Sequence, residues 1–457
     1  MIRPVSLAQV AEACNAQVAA NWWNVELTGL AIDSRSVLPG DLFVAISGER
    51  TDGHEFITGA ADRGAAAVLT QRAVESALPQ LTVADTEAAV GAFGALARGD
   101  FDGVLVGITG SAGKTTAKNL IAVVLGGAGN VLATEGNRNN ELGVPLTLAA
   151  LEPTTEFAVL EMGAGKPGDI AHLANIAKPN VAVLLNVAEA HIEQYGSLDA
   201  ISQTKGAILD GLTDSDLAVI NGDQPWSAEW RERAAPAKVV SFGLSEGVDY
   251  RAMDIASKGF EGSELVVAHG RGCCAVELHL PGMPGVMNAL AAFAVGDSLG
   301  LSFDAIARGL NSVSPAPGRG HLYRLSRERV LVDDSYNANP TAMKATIDSI
   351  AATKAPGCLV MGGMLELGVS SDALHEEVGA YARARGVDRL WVVGGHAQAA
   401  VKGFGPGARF VRDWQELDAD IDDLPAGSLV VVKASRGSAL DRLVSAWLQR
   451  EEVVASC

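Results

Sequence analysis

Cysteine is scarce in this chain of 457 residues, and positive charge is in short supply. The five cysteines, Cys14, Cys273, Cys274, Cys358 and Cys457, are odd in number and nowhere spaced as C-x-x-C. That excludes a disulfide framework and a cysteine zinc site, and leaves the incidental thiols of a reduced cytosol. Thirty-five basic residues against 54 acidic leave a net charge of −19. A surface that acidic repels nucleic-acid backbones and anionic lipid alike, so no nucleic-acid partner is expected. Any anion the protein holds must be gripped by local groups. No apolar run reaches the ~18 residues of a membrane span. The N-terminal MIRPVSLAQVAEAC lacks the unbroken apolar core of a signal peptide, so a cytoplasmic location is expected. Aromatics are only 5% of residues, whereas 51 are glycine, which predicts many turns and close backbone approaches. With 48% apolar and 19% charged residues, this is the composition of ordinary folded domains, about three at this length.

Residues 1–100 mix short apolar runs, DLFVAI (41–46) and AAAVL (65–69), with helix-like stretches such as residues 86–98. From Gly103 the pattern changes. VLVGI (104–108), FAVL (157–160), VAVLL (181–185) and LAVI (217–220) are continuous apolar runs, each ending at a polar or glycine loop. Runs without alternation are strands buried on both faces, so a parallel α/β sheet is predicted over residues 101–315. SPAPGRG (314–320) is dense in turn residues and is the best linker. Beyond it VLV (330–332), LVM (359–361), LWVV (390–393) and LVVV (429–432) alternate with helical stretches. They predict a second, Rossmann-like α/β unit over residues 316–457. It has no G-x-G-x-x-G after its first strand, which removes the main support for dinucleotide binding.

The strongest chemical signal is TGSAGKTT (109–116), set between the run at 104–108 and a helical stretch. Glycines let the backbone wrap closely, so that the amides of Gly110, Ser111, Ala112 and Gly113 point at phosphate oxygens, helped by the helix N-terminus. Lys114 would reach the β- and γ-phosphates, the Thr115 hydroxyl would ligate Mg²⁺, and Thr116 lies beside them. The strict motif has glycine where this chain has Ile108, with Gly107 one place early. Further metal ligands belong at the ends of neighbouring strands. Glu161 ends the run at 157–160 and offers carboxylate oxygen, which suits Mg²⁺; His191 stands at the mouth of the next strand, although imidazole is less usual for that ion. On spacing alone a structural role has the better case for His191, as does a surface-helix role for Lys205. DDSYNANP (333–340) reads equally as a strand ending in an Asn/Pro turn or as a binding loop.

Together these segments resemble the Mur ligases of peptidoglycan synthesis, ATP-dependent acid–amino-acid ligases, over nearly the whole chain. DSRSVLPGDLFVAISGERTDGHEFI (33–57) resembles their UDP-sugar-binding N-terminal domain. GSAGKTT (110–116), LEMGAGKPGDI (160–170) and NVAEAHIEQYGS (186–197) resemble the central ATPase motifs. PGRG (317–320) and DDSYNANP resemble the hinge and the first C-terminal strand. TEGNRNNELGVPLT (134–147) and GMLELG (363–368) are similar to the member that adds a dipeptide.

The resemblance implies three α/β domains: a UDP-sugar-binding domain (1–100), a P-loop ATPase domain (101–315) and a C-terminal domain for dipeptide and nucleotide contacts (316–457). It implies that D-alanyl-D-alanine is joined to UDP-N-acetylmuramoyl-tripeptide, driven by ATP and two Mg²⁺ through an acyl phosphate, in a protein expected to be monomeric. Glu161 and His191 would hold the second Mg²⁺. Lys205 matches the lysine that sister ligases carry as a carbamate; adding CO₂ turns a repelled ammonium into an anion with oxygens to offer. Asn288 would bind adenine, Arg319 would reach the triphosphate, Asp334 the ribose, and Tyr336 and Asn337 would lie near the base. Ser34 and Arg35 would hold the UDP end, and Asn139 and Asn140 the peptide. Two departures stand out: Pro284 and Gly285 occupy the place of a usual His-Asn, and Gly165 and Lys166 replace Asn and His. A sister ligase adding one amino acid, a folylpolyglutamate synthase, and a P-loop switch or motor without a peptide substrate are the alternatives.

Overall fold

A computed structural model describes residues 1–16, 18–48, 51–188, 192–353, 355–365, 367–450 and 455–456. The first sheet holds four parallel strands in the order Gly29–Ala31, Asp41–Val44, Ala67–Thr70 and Gln80–Thr82. The apolar runs at 41–46 and 65–69 form its two inner, wholly buried strands. The helix Thr86–Gly99 follows, started by Asp85, whose carboxylate accepts from the amides of Glu87 and Ala88 at 2.9 and 3.0 Å. This helix docks the first unit onto the second. Gly94 permits the approach, because a Cβ there would lie 2.7 Å from Pro145 Cα in the helix Gly143–Ala149. Arg98 then reaches the carbonyls of Ala177 (2.7 Å) and Lys178 (3.0 Å), a cation at the negative end of the helix Asp169–Ala177.

The second sheet has nine strands in the order Gly272–Leu278, Ser263–His269, Tyr250–Ser257, Lys238–Gly243, Leu217–Asn221, Val181–Leu184, Val104–Thr109, Phe157–Glu161 and Val131–Ala133. From Val131–Ala133 to Tyr250–Ser257 the neighbours are parallel, and a hydrophobic core covers each face. The last two strands are antiparallel additions to the predicted parallel sheet. Apolar runs do not reveal them: Gly272–Leu278 alternates exposed and buried residues because one face meets water. Val131–Ala133 escapes notice as three half-buried residues on the sheet edge.

Strand order reverses about Val104–Thr109, with Phe157–Glu161 on one side and Val181–Leu184 on the other. Loops leaving the C-terminal ends of these three strands share a crevice, the usual ligand site of an open α/β sheet. Residues 314–320, with turns and bends at 317–320, lead from the helix Phe303–Asn311 to the third sheet. There Ala408–Val411, Arg389–Val393, Gly357–Met361, Leu429–Lys433 and Val330–Asp334 run parallel, followed by antiparallel His321–Arg324 and Ala455–Ser456. Cores on both faces give it the predicted doubly wound form. Cys14, Cys273, Cys274 and Cys358 are free thiols; Cys457 lies outside the described residues. No helix among the described residues is long and apolar enough to cross a membrane.

Candidate active site

Ile108 is fully buried in its strand, so the glycine of the strict phosphate-loop motif has no task there. The turn is made by Gly113, at φ +82°, which precedes the helix Lys114–Gly126 without any side-chain cap. The first amides of that helix are therefore left to face an anion. Asn186 braces the loop from the next strand: its Oδ1 accepts from Ala112 N (2.9 Å) and its Nδ2 donates to Ala112 O (3.0 Å). Lys114 Nζ donates to Gly110 O at 2.8 Å. Burial lowers the Lys114 pKa; the Glu161 charge opposes that shift and Arg319 adds to it.

Glu161 is 2% exposed at the end of its strand and is hydrogen-bonded from two directions. Thr115 Oγ1 donates to Oε2 and Asn139 Nδ2 to Oε1, both at 2.7 Å. Arg319, arriving from the segment that leads into the third sheet, donates to Thr115 Oγ1 at 3.0 Å. Sequence reasoning does not single out Lys118, yet its buried Nζ donates to Thr134 O at 2.6 Å, while Thr134 Oγ1 accepts from Glu161 N at 3.0 Å. Its signal was the i, i+4 spacing from Lys114 on one helix. Asn139 and Asn140 part company here. Asn139 joins Glu161, whereas Asn140 Oδ1 accepts from Gly143 N at 3.0 Å and so forms the turn into the helix Gly143–Ala149.

Lys205, on the helix Leu198–Gly206, is 4% exposed, which excludes the surface-helix reading. Burial, reinforced by the charge of Lys114, lowers its pKa to about 7. No hydrogen-bond or ion-pair partner of its Nζ is found among the described residues, and His191 lies outside them. The Thr115 hydroxyl and the Glu161 carboxylate are hard oxygen donors of the kind Mg²⁺ takes. Among the described residues no group of three or more His, Cys, Asp and Glu side chains is placed to hold an ion.

A cavity of about 610 Å³ opens between the second and third units, and Ser111, Ala112, Gly113, Thr116, Asn288, Arg319, Asp334, Tyr336 and Asn337 share its wall. Asn288 is 4% exposed, and no hydrogen bond of its amide is found among the described residues, so the cavity side is left to satisfy it. Pro284 and Gly285 line the same wall. Asp334 accepts from Lys433 Nζ (2.6 Å) and Thr346 Oγ1 (2.9 Å), and the Arg319 guanidinium lies 4.0 Å from the Tyr336 ring centre. Asn337 is exposed, its Oδ1 accepting from Ala338 N at 2.9 Å. Gly165 and Lys166 turn their amides to Asp169 Oδ2, both at 2.9 Å. Ser34 and Arg35 follow the strand Gly29–Ala31 and do not line this cavity. The Arg35 guanidinium is paired with Asp33 at 2.6 Å, which holds the Asp33 carboxyl down to about 2.

A strand, glycine loop and uncapped helix at a sheet crevice, beside a cavity lined by an unpartnered amide, define a P-loop nucleotide-binding protein. Comparison with known proteins narrows the class. Residues 26–93 match the description "Mur ligase family, catalytic domain", 108–296 "Mur ligase middle domain" and 318–436 "Mur ligase, glutamate ligase domain". The UDP-N-acetylmuramoyl-tripeptide–D-alanyl-D-alanine ligase of Escherichia coli is 37% identical over 446 residues, covering 97% of this chain and 98% of its own. A crystal structure of MurF from Acinetobacter baumannii superposes with a TM-score of 0.91 at 30% identity, covering 98% and 99% of the two chains. The MurF ligase of Thermotoga maritima, in complex with ADP, gives 0.82 at 30% identity over 92% and 96%. The chain belongs to the Mur ligase family.

Asn288→Ala should weaken binding of a non-hydrolysable ATP analogue about tenfold, the effect of losing one or two hydrogen bonds. Calorimetry reads this directly, and an unchanged affinity in the folded variant would take Asn288 out of the nucleotide site.

Proposed function

We propose that this chain is an ATP-dependent ligase that joins D-alanyl-D-alanine to UDP-N-acetylmuramoyl-tripeptide in peptidoglycan synthesis. The observation that carries the reading is likeness along the full length to ligases of that name, first unit included. A P-loop switch or motor has no use for that first unit. ATP and a UDP-linked precursor as substrates support a cytoplasmic location.

The chemistry begins with a poor electrophile, because the tripeptide carboxylate repels an amine. One of its oxygens takes the γ-phosphoryl group of ATP, releasing ADP and leaving an acyl phosphate. The dipeptide amine attacks the acyl carbon, the bond from that carbon to the phosphate oxygen breaks, and a proton leaves as the amide forms. Lys114, Arg319 and the first amides of the uncapped helix Lys114–Gly126 stabilise charge on the moving phosphoryl group, whereas the expected Ser111 and Ala112 amides are already bonded to Asn186. Thr115, Glu161, His191 and a carbamylated Lys205 are the ligands we assign to two Mg²⁺, which when bound supply positive charge to the phosphate oxygens. A buried amine readily found neutral is the form that adds CO₂, giving a carbamate and one proton. Asn288, Asp334, Tyr336 and Asn337 hold the adenosine end. Ser34 and Arg35 hold the UDP end, and Asn139, with the amide nitrogen of Asn140, faces the peptide. The contact of Arg319 with Thr115 supports closure of the third unit over the acyl phosphate, which excludes hydrolytic water.

Two experiments test the reading. Phosphate release from ATP should require UDP-muramoyl-tripeptide and D-alanyl-D-alanine together; release at the same rate with ATP alone would contradict a ligase. Lys205→Ala should lose activity that formate or acetate partly restores and methylamine does not. A variant indifferent to short acids would mean the lysine acts as a cation.

A further inference from the structure

We propose that Phe260 is a positioning residue for the nucleotide: at the tip of a hairpin of the second unit, it seats the third unit and so sets the spacing between Asn288 and Asp334. This rests on the proposed reading that those two residues hold the adenosine end of ATP, and it adds the element that keeps them in register.

Residues 258–262 join the strands Tyr250–Ser257 and Ser263–His269, near one edge of the second sheet. The turn is braced from behind. Lys258 N donates to Gly262 O at 2.8 Å, and Lys258 Nζ pairs with Glu264 (2.6 Å) and Glu277 (3.3 Å) on neighbouring strands. The side chain at the tip leaves the second unit. Phe260 is 5% exposed and lies in the core of the third unit, with Leu322, Met343, Ile347 and Ile350. Gly259, at φ +65°, allows that insertion, because a Cβ there would stand 2.9 Å from Thr353 Cγ2. Next in sequence, Glu261 pairs with Arg324 of the third sheet at 2.6 Å.

The helix Pro340–Ala351 carries this contact to the nucleotide cavity. Thr346, Ser349 and Thr353 fall at i, i+3 and i+7, one face of the helix and of the turn that ends it. Thr346 Oγ1 donates to Asp334 Oδ2 at 2.9 Å, so the helix helps to aim that carboxylate. Ser349 meets the start of the helix Gly282–Ser298, which bears Asn288: a Cβ on Gly282 would lie 3.1 Å from Ser349 Oγ. Phe260, Thr346 and Ser349 all border the cavity. The two halves of the nucleotide site thus meet across one helix, and Phe260 fixes that helix from the side of the second unit. At the phosphate end the units are joined by the hydrogen bond of Arg319 to Thr115, at 3.0 Å. Burying an aromatic side chain is worth more than one such bond, so the hairpin tip is the firmer joint and the phosphate end the one that can open.

Calorimetry on the full-length protein tests this, with a non-hydrolysable ATP analogue and UDP-muramoyl-tripeptide titrated separately. A variant that holds the aligned arrangement a tenth of the time binds about tenfold more weakly. F260A should lose at least about that factor for the analogue and keep its affinity for the UDP substrate within about twofold. F260L, which retains most of the apolar volume, should fall between F260A and wild type, and it carries the comparison should F260A not fold. E261K and R324E should each weaken the analogue roughly threefold, and the double variant should bind it better than either, because opposite charges meet again. Wild-type affinity for the analogue in the folded Phe260 variants overturns the proposal. So does an equal loss for both ligands, which would make Phe260 a residue of general stability. Wild-type protein that binds no analogue would overturn the proposal together with the nucleotide reading. Wild-type protein that binds the analogue but not the UDP substrate would contradict the ligase reading, and the analogue alone would then decide the joint.

Discussion

A carboxylate buried to 2% exposure must be met by donors, and at Glu161 those donors come from separate stretches of chain. Thr115 belongs to the phosphate helix and Asn139 to the loop after the strand Val131–Ala133. Arg319, from the segment entering the third unit, completes the group by donating to Thr115. Leaving such a charge buried and unpaired costs about 3–5 kcal/mol, so each piece is held in register by the others. The phosphate loop, the loop that carries Asn139 and the third unit are thereby aligned on one atom group.

The same place reverses the electrostatics of the molecule. The chain carries −19 overall, yet Lys114, Lys118 and Arg319 all act on the neighbourhood of Glu161, and Lys114 acts in turn on Lys205. Burial lowers the pKa of all three lysines. One carboxylate among that many basic groups suits a polyanionic nucleotide. Lys118 extends the effect to the backbone: its bond to Thr134 O fixes the start of the loop that delivers Asn139. Docking of the first unit bears on that loop too, through the contact of Gly94 with Pro145 just beyond it.

Much of this was legible in the sequence because buried parallel strands announce themselves as unbroken apolar runs, and the phosphate loop as glycines before a Lys-Thr pair. The half-exposed hairpin of Ser263–His269 and Gly272–Leu278 follows another pattern, alternation, and so was not visible to the same criterion. Within the site, residues sitting at strand ends or in the loop, such as Glu161 and Lys114, could be named from position alone. Asn186 and Lys433 could not, since their partners lie 74 and 99 residues away and only the fold brings them together. Asn139 and Asn140 are adjacent and chemically identical; what separates them is that one amide meets Glu161 and the other the start of a helix.

The central claim is that the crevice at Glu161 passes the γ-phosphoryl group of ATP to the carboxylate of the peptide. Labelling that carboxylate with ¹⁸O and analysing the phosphate released during ligation by mass spectrometry tests it most directly. Transfer through an acyl phosphate carries one labelled oxygen into each phosphate released, because the oxygen that took the phosphoryl group leaves with it. Phosphate free of label, formed alongside ligated product, would mean that the carboxylate never received the phosphoryl group.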